Sequence, residues 1–258
     1  MINQIRADFY RQRRSIGMLL LLIATVALGI VTTWGKTTIG MSTGGEDYNH
    51  KLMAIEGRSW TVRTGLQVGA ASTSLLIYFF IAVFVIVIGA EYSQHTLKNT
   101  LTSGISRIQF ILGKYVTILT DIILLTLCYY ITILLTGLAL GRKPGAGWGT
   151  LCKDVAVMTL SASFCISVII SLGILLLIIT KSLVIPAVVI VIWPMLIGLV
   201  EFTAKWKWLK YFDFVGFGEQ IVLNTLKADQ VWIYAGVSVG VVLVAIFGSA
   251  LIISKQEI

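Results

Sequence analysis

The sequence predicts an all-α integral membrane protein, with residues 1–258 forming a single six-span transmembrane domain. Three observations predict it. Hydrophobic side chains make up 57% of the chain and Asp, Glu, Lys and Arg only 12%, about half the charged share of a soluble domain. A water-soluble globule with so few charges would leave its surface largely apolar. The apolar residues also gather into runs of the ~20 residues that a helix needs to cross a bilayer. The basic excess, 20 Lys and Arg against 12 Asp and Glu, lies in the segments between those runs, where the fitting partner is an anionic lipid surface rather than nucleic acid. A cytosolic enzyme, a secreted disulfide scaffold and a disordered chain are all excluded.

The elements follow in order. Residues Met1–Ser15 place Ile2, Ile5 and Phe9 on one helical face and Arg6 and Arg13 elsewhere, which suits an amphipathic helix lying on the cytosolic leaflet. The first span is Ile16–Thr33, too long and without the small-residue site of a cleavable signal. Trp34–Gln67 is an external, Gly/Thr-rich stretch with a short helix expected around His50–Ile55 and too few residues for a core of its own. The second span is Val68–Ala90, the third Tyr115–Leu140 and the fourth Val155–Ile179. The fifth, Leu183–Val200, carries Pro186 and Pro194, each expected to interrupt its hydrogen bonds and bend it. The sixth is Val231–Ile253. Six crossings put both termini on one side. The run Arg11-Gln-Arg-Arg14 directly before the first span marks that side as cytosolic.

The cytosolic segment after the second span is the most informative. Leu97, Leu101, Ile105 and Ile108 recur at helical spacing, with Gln94, Lys98, Asn99 and Thr102 on other faces. Ser103-Gly104 ends that helix, and Ser106 is placed to cap the next, which runs on into the third span. A short helix joined by a tight turn to a long crossing helix transmits a push into the membrane.

This segment, Glu91-Tyr-Ser-Gln-His-Thr-Leu-Lys-Asn-Thr-Leu-Thr-Ser-Gly-Ile-Ser-Arg-Ile-Gln-Phe-Ile-Leu-Gly-Lys114, resembles the cytosolic loop of type-2 ABC exporter permeases. Glu91, Thr96, Leu97, Lys98, Ser106, Arg107, Gly113 and Lys114 match the family pattern; His95 stands where a Gly is usual, and Ser103-Gly104 replaces a small-residue-plus-Pro turn. The resemblance is nearest to small Gram-positive permeases of the bacitracin-resistance and lantibiotic-immunity kind. It covers the whole chain as six-span topology and about 25 residues as motif.

The resemblance implies a coupling helix that docks into a separate cytosolic ATP-binding subunit, with Glu91, Gln94, His95, Lys98, Asn99 and Arg107 as docking residues. It further implies a second permease chain, identical or homologous, in a bacterial plasma membrane. ATP and Mg would be bound by the partner subunit, and no cofactor by this chain. The cargo expected is amphipathic, a membrane-active peptide or antibiotic. A stand-alone channel, or an immunity protein that binds a toxin without ATP, is the alternative.

Asp121 is the one acid well inside a predicted span, and so a functional candidate by default. Its two readings are a structural pair, including one with a neighbouring subunit, and substrate or proton handling. With Pro186 and Pro194 it makes up the candidate translocation path. Trp206, Trp208, Tyr211, Phe212 and Phe214 crowd the last external segment beside Lys205, Lys207 and Lys210, a composition suited to the headgroup layer; the resemblance implies re-entrant helices there. Chemistry of the chain's own finds little support. His50 and His95 fall on opposite sides of the predicted membrane. Cys128, Cys152 and Cys165 form no C-x-x-C pair. Gly29-Ile-Val-Thr-Thr-Trp-Gly-Lys-Thr37 has five residues between its glycines where a P-loop has four.

Overall fold

Ten α-helices account for nearly all of the described residues of the computed structural model: 2–36, 38, 45–56, 60–89, 106–204, 206, 208–226 and 228–255. They are α1 (Ile2–Arg13), α2 (Ile16–Gly35), α3 (Gly45–Glu56), α4 (Val62–Ala71), α5 (Thr73–Phe84), α6 (Arg107–Ala139), α7 (Trp148–Thr180), α8 (Val184–Ala204), α9 (Phe214–Val222) and α10 (Ala228–Lys255). A π-helical turn, Val85–Gly89, extends α5, and a 3-10 turn, Leu209–Phe212, precedes α9.

Among these, α2, α6, α7 and α10 are long and apolar enough to cross a membrane, and α4 with α5 forms a fifth, bent candidate. Within α8 the apolar stretch Val184–Ile197 is shorter. Helices α6 and α7 have 33 residues each, about 50 Å at 1.5 Å per residue, against a hydrocarbon core of ~30 Å. Both therefore project beyond it or tilt. Helix α6 begins at Arg107, directly after the Ser106 cap expected from the sequence and about two turns before the apolar span expected from Tyr115.

Helix α7 is the axis of the bundle. Its apolar window is 72% buried, against 28% for that of α2, and it packs on α6, α8, α9 and α10. Helix α6 packs on α1, α2, α4 and α10 as well. The core runs along this pair, through Phe80, Phe84, Ile118, Ile122, Ile169, Ile174 and Leu177. Close approach rests on small residues. A Cβ on Gly29 of α2 would lie 3.2 Å from the Tyr129 carbonyl of α6 and 3.1 Å from the Thr132 side chain. On the outside, Leu20 and Ile23 of α2 and Leu243, Val244 and Phe247 of α10 are exposed, the face a bilayer would cover. Hydroxyls within the bundle bond back to their own helix: Thr25 to the Leu21 carbonyl (2.7 Å), Thr33 to that of Gly29 (2.7 Å) and Thr117 to that of Gly113 (2.9 Å).

The span expected to run unbroken over Val68–Ala90 is broken instead. Helices α4 and α5 meet at 59° around Ser72. In a straight helix the Gly69 carbonyl would accept from the Thr73 N–H. Here it accepts from the Tyr129 hydroxyl at 3.0 Å and from the Thr73 hydroxyl at 3.4 Å, while Tyr130 and Thr73 share a hydroxyl bond of 2.9 Å. Two adjacent tyrosines of α6 supply partners that the apolar pattern of Leu75–Ile88 does not reveal.

The bundle has two ends. At one, α1 lies against the start of α6, the Arg11 guanidinium donates to the Val87 carbonyl, and Arg107 donates to the Ile253 carbonyl near the end of α10. At the other, Arg142 donates to the Thr33 carbonyl and covers the Trp60 ring, Arg63 pairs with Asp154, and Lys51 donates to the carbonyls of Leu223 and Asn224. The external helix expected around His50–Ile55 is α3. It sits at this second end, where Tyr48 and Leu52 pack with Val68, Ala71 and Leu223 in a small separate cluster.

Candidate functional site

Helix α1 docks on the bundle by a polar side. Its buried residues are polar: Gln4, Asp8 and Gln12, at i, i+4 and i+8, one stripe of a helix. That stripe docks on a matching one on α6. The Gln4 amide donates to the Phe110 carbonyl at 3.3 Å. Lys114 donates to both Asp8 carboxylate oxygens, at 2.8 and 2.9 Å. The Gln12 amide donates to Asp121 Oδ2 at 2.6 Å. Gly113 allows this approach, since a Cβ there would stand 3.0 Å from Gln4 Oε1. Lys114 is 0% exposed and Asp8 and Asp121 3% each. Arg11 closes the group, 2.8 Å from Asp8.

The expectation that Arg6 and Arg13 lie on other faces than Ile2, Ile5 and Phe9 is corrected. Arg6 and Arg13 lie beside Phe9 and away from the buried stripe, and Ile2 is exposed. The reason is electrostatic. A lone buried Lys114 and a lone buried Asp8 would each be strongly disfavoured, and together they hold the helix polar side inward.

Asp121 thereby has a hydrogen-bond partner inside its own chain, Gln12. Of the residues expected to dock an ATP-binding subunit, Glu91, Gln94, His95, Lys98 and Asn99 lie outside the described residues. Arg107 is described, and it braces the start of α6 against α10. Ser106 caps α6 as the sequence suggests, accepting from the Gln109 N–H at 3.3 Å. Residues 90–105 thus leave from Gly89 and return at Ser106, both at the end where α1 lies.

The prolines separate. Pro194 is inside α8. Pro186 falls in its first turn, where the N–H has no intrahelical acceptor to lose, and the next residue, Ala187, bonds the Leu183 carbonyl at 3.3 Å. Pro186 does not interrupt the helix, which corrects that expectation.

The aromatic segment divides in the same way. Trp206 and Trp208 stack at 5.8 Å and are about half exposed, as an interfacial anchor would be. Tyr211 and Phe212 are partly buried. Phe214 is fully buried, so its headgroup-layer placement is corrected. Asp213 accepts from the Gly216 N–H at 2.9 Å and starts α9, which turns inward to pack on α7. Trp193 of α8 holds that corner, its indole donating to the Phe212 carbonyl at 3.1 Å.

Helix α9 also brings in Glu219, which is 3% exposed and lines a small cavity with Thr73, Ser74, Tyr130 and Cys165. The sequence reading missed it because Glu219 stands in a polar, aromatic stretch that looks external. It missed the Asp8–Lys114 pair because the two residues stand 106 apart in sequence and no local pattern links them.

A family model described as ABC-2 family transporter protein matches residues 4–198, from the docking stripe of α1 through most of α8. None of the curated proteins compared with the chain matches it.

Proposed function

The chain belongs to the ABC-2 family of transporter proteins, and we propose that within it this permease works as an exporter of an amphipathic substrate, a membrane-active peptide or antibiotic. As a family member it is the membrane permease of an ABC transporter. Two permease chains, identical or homologous, combine with two cytosolic ATP-binding subunits, which hold ATP and Mg. The family match over residues 4–198 carries this reading, because it includes both crossings that flank residues 90–105.

The membrane is crossed six times, with α4 and α5 as one bent crossing and α8 as the fifth. The alternation of the connections between the two ends of the bundle supports this. Both termini are cytosolic in a bacterial plasma membrane, on the strength of Arg11, Arg13 and Arg14 before α2.

Residues 91–105 carry the coupling helix. Its return point is the capped start of α6, and its departure point is tied to α1 through Arg11 and Val87. A displacement caused by closure of the ATP-binding subunits would pass into α6, a 33-residue helix, and through the Asp8–Lys114 contact into α1. Helix α9 is the re-entrant element that caps the path, and Pro194 is the path residue retained. The Gln12 bond gives Asp121 a role in holding α1.

Affinity purification in mild detergent followed by intact-complex mass spectrometry tests the assembly. Two permease and two ATP-binding chains, with ATPase activity stimulated by amphipathic peptides, are expected. A lone oligomer, under conditions that keep a control transporter whole, would replace this reading with a channel or toxin-binding protein.

A further inference from the structure

Between α1, α2 and α6 lies a groove of about 670 Å³, lined by Arg6 and Arg13 of α1, by Ser15, by Leu19 and Leu22 of α2 and by Leu124 of α6. We propose that this groove binds one anionic phospholipid, its phosphate between Arg6 and Arg13 and one acyl chain along Leu19, Leu22 and Leu124. The site is separate from the coupling segment and stands without the transport reading.

The charge on the rim selects the headgroup. Arg6 and Arg13 are seven residues apart, so they share a helical face about 10 Å apart along the axis. The other cations of α1, and Lys114 of α6 behind it, are engaged. Arg11 holds Asp8 and the Val87 carbonyl, Arg14 lies over the Tyr10 ring at 4.7 Å, and Lys114 holds Asp8. Among the described residues Arg6 and Arg13 have no hydrogen bond or ion pair. Asp121 also borders the groove, with its Oδ2 bonded to Gln12. Two arginines on the rim outweigh that one acid, so the phosphate is drawn to the rim.

Two further features fit a lipid and not a small anion. Leu19, Leu22 and Leu124 are exposed at 57%, 41% and 56%, an apolar wall that a free phosphate would leave uncovered. Ser15, which borders the groove, precedes α2 as its cap residue and makes no side-chain capping bond, so its hydroxyl is not committed to the helix end. Because its polar stripe is spent on α6, α1 presents arginines and aromatics, not amides, to this groove.

The test is lipid retention by the full chain in mild detergent, read by intact-protein mass spectrometry with dioleoyl-phosphatidylglycerol against dioleoyl-phosphatidylcholine. Each arginine near an anionic headgroup contributes roughly fivefold in affinity. The double variant Arg6→Gln/Arg13→Gln should therefore bind phosphatidylglycerol about 25-fold more weakly. Leu22→Trp, which fills the acyl wall and leaves the charge alone, should weaken it too. Equal retention of the two lipids overturns the proposal, as does a double variant that binds like wild type. Glycerophosphate competing as well as the lipid would also overturn it, since that makes the rim an anion site without a chain-binding wall. A chain-to-chain disulfide by Leu22→Cys in membranes, with lipid retention unchanged by the Arg variants, would assign the groove to a second copy instead. Should the double variant melt below wild type, Leu22→Trp decides: unchanged retention overturns the lipid site.

Discussion

Lys114 donates to both carboxylate oxygens of Asp8, at 2.8 and 2.9 Å, across 106 residues of sequence and with neither side chain open to solvent. Removing one partner leaves the other as an uncompensated buried charge, which costs about 3–5 kcal/mol. Lys114→Met and Asp8→Leu should each lower the melting temperature of the detergent-solubilised chain sharply. The double variant should recover most of that loss, because two apolar side chains in a buried site replace an ion pair at little cost. A double variant as unstable as the sum of the singles would mean that the pair is not a coupled unit.

The Gln12 amide reaches Asp121 at 2.6 Å, and the carboxylate here is an acceptor. Asp121→Asn keeps an acceptor oxygen, so it should retain both the fold and transport. Asp121→Leu leaves the Gln12 amide unmatched and should cost about 1–3 kcal/mol. Transport measured in membrane vesicles separates the roles: if Asp121→Asn folds normally and abolishes transport, the charge itself is used and Asp121 returns to the translocation path.

The long apolar helices were legible because burial in lipid imposes length and composition on a helix directly. Ile16–Thr33 was expected and α2 is Ile16–Gly35; α6 and α7 begin before the apolar stretches expected in them, at Arg107 and Trp148. Hydropathy registers where the apolar core starts, while a helix continues through polar turns outside it. Three features were hidden for one physical reason: each depends on a partner far away in sequence. The bend at Ser72 needs Tyr129 and Tyr130. The inward face of α1 needs Lys114 and Asp121. The burial of Phe214 and Glu219 needs the surface of α7. Of the candidate site, Ser106 and the start of α6 were readable from local capping chemistry alone.

Arg107 and Lys98 should behave differently, although both match the coupling-loop pattern. Arg107 donates to the Ile253 carbonyl at 2.9 Å, so Arg107→Glu removes a brace between α6 and α10 as well as a charge. It should lower stability by about 1–3 kcal/mol and weaken capture of the ATP-binding subunit. Lys98→Glu should weaken capture alone, with an unchanged melting temperature. Unaltered co-purification and transport in the Lys98→Glu/Arg107→Glu double variant would remove the docking role from this loop.

The Tyr129 hydroxyl donates to the Gly69 carbonyl at 3.0 Å, at the point where the 59° bend takes that carbonyl out of its helix. Phenylalanine there preserves the ring and its packing but leaves Gly69 dependent on the longer Thr73 bond of 3.4 Å. In an apolar interior such a loss costs about 1–2 kcal/mol. Tyr129→Phe should therefore lower the melting temperature by a few degrees, and it should raise backbone hydrogen exchange in α4 and α5 more than in α7, because only the bend has lost its partner. Tyr130→Phe breaks a bond to the Thr73 side chain instead of to a freed carbonyl, and should cost less. Equal protection across α4, α5 and α7 in Tyr129→Phe would show that packing alone, through contacts such as Val83 and Phe84 in the core, fixes the bend without the hydroxyl.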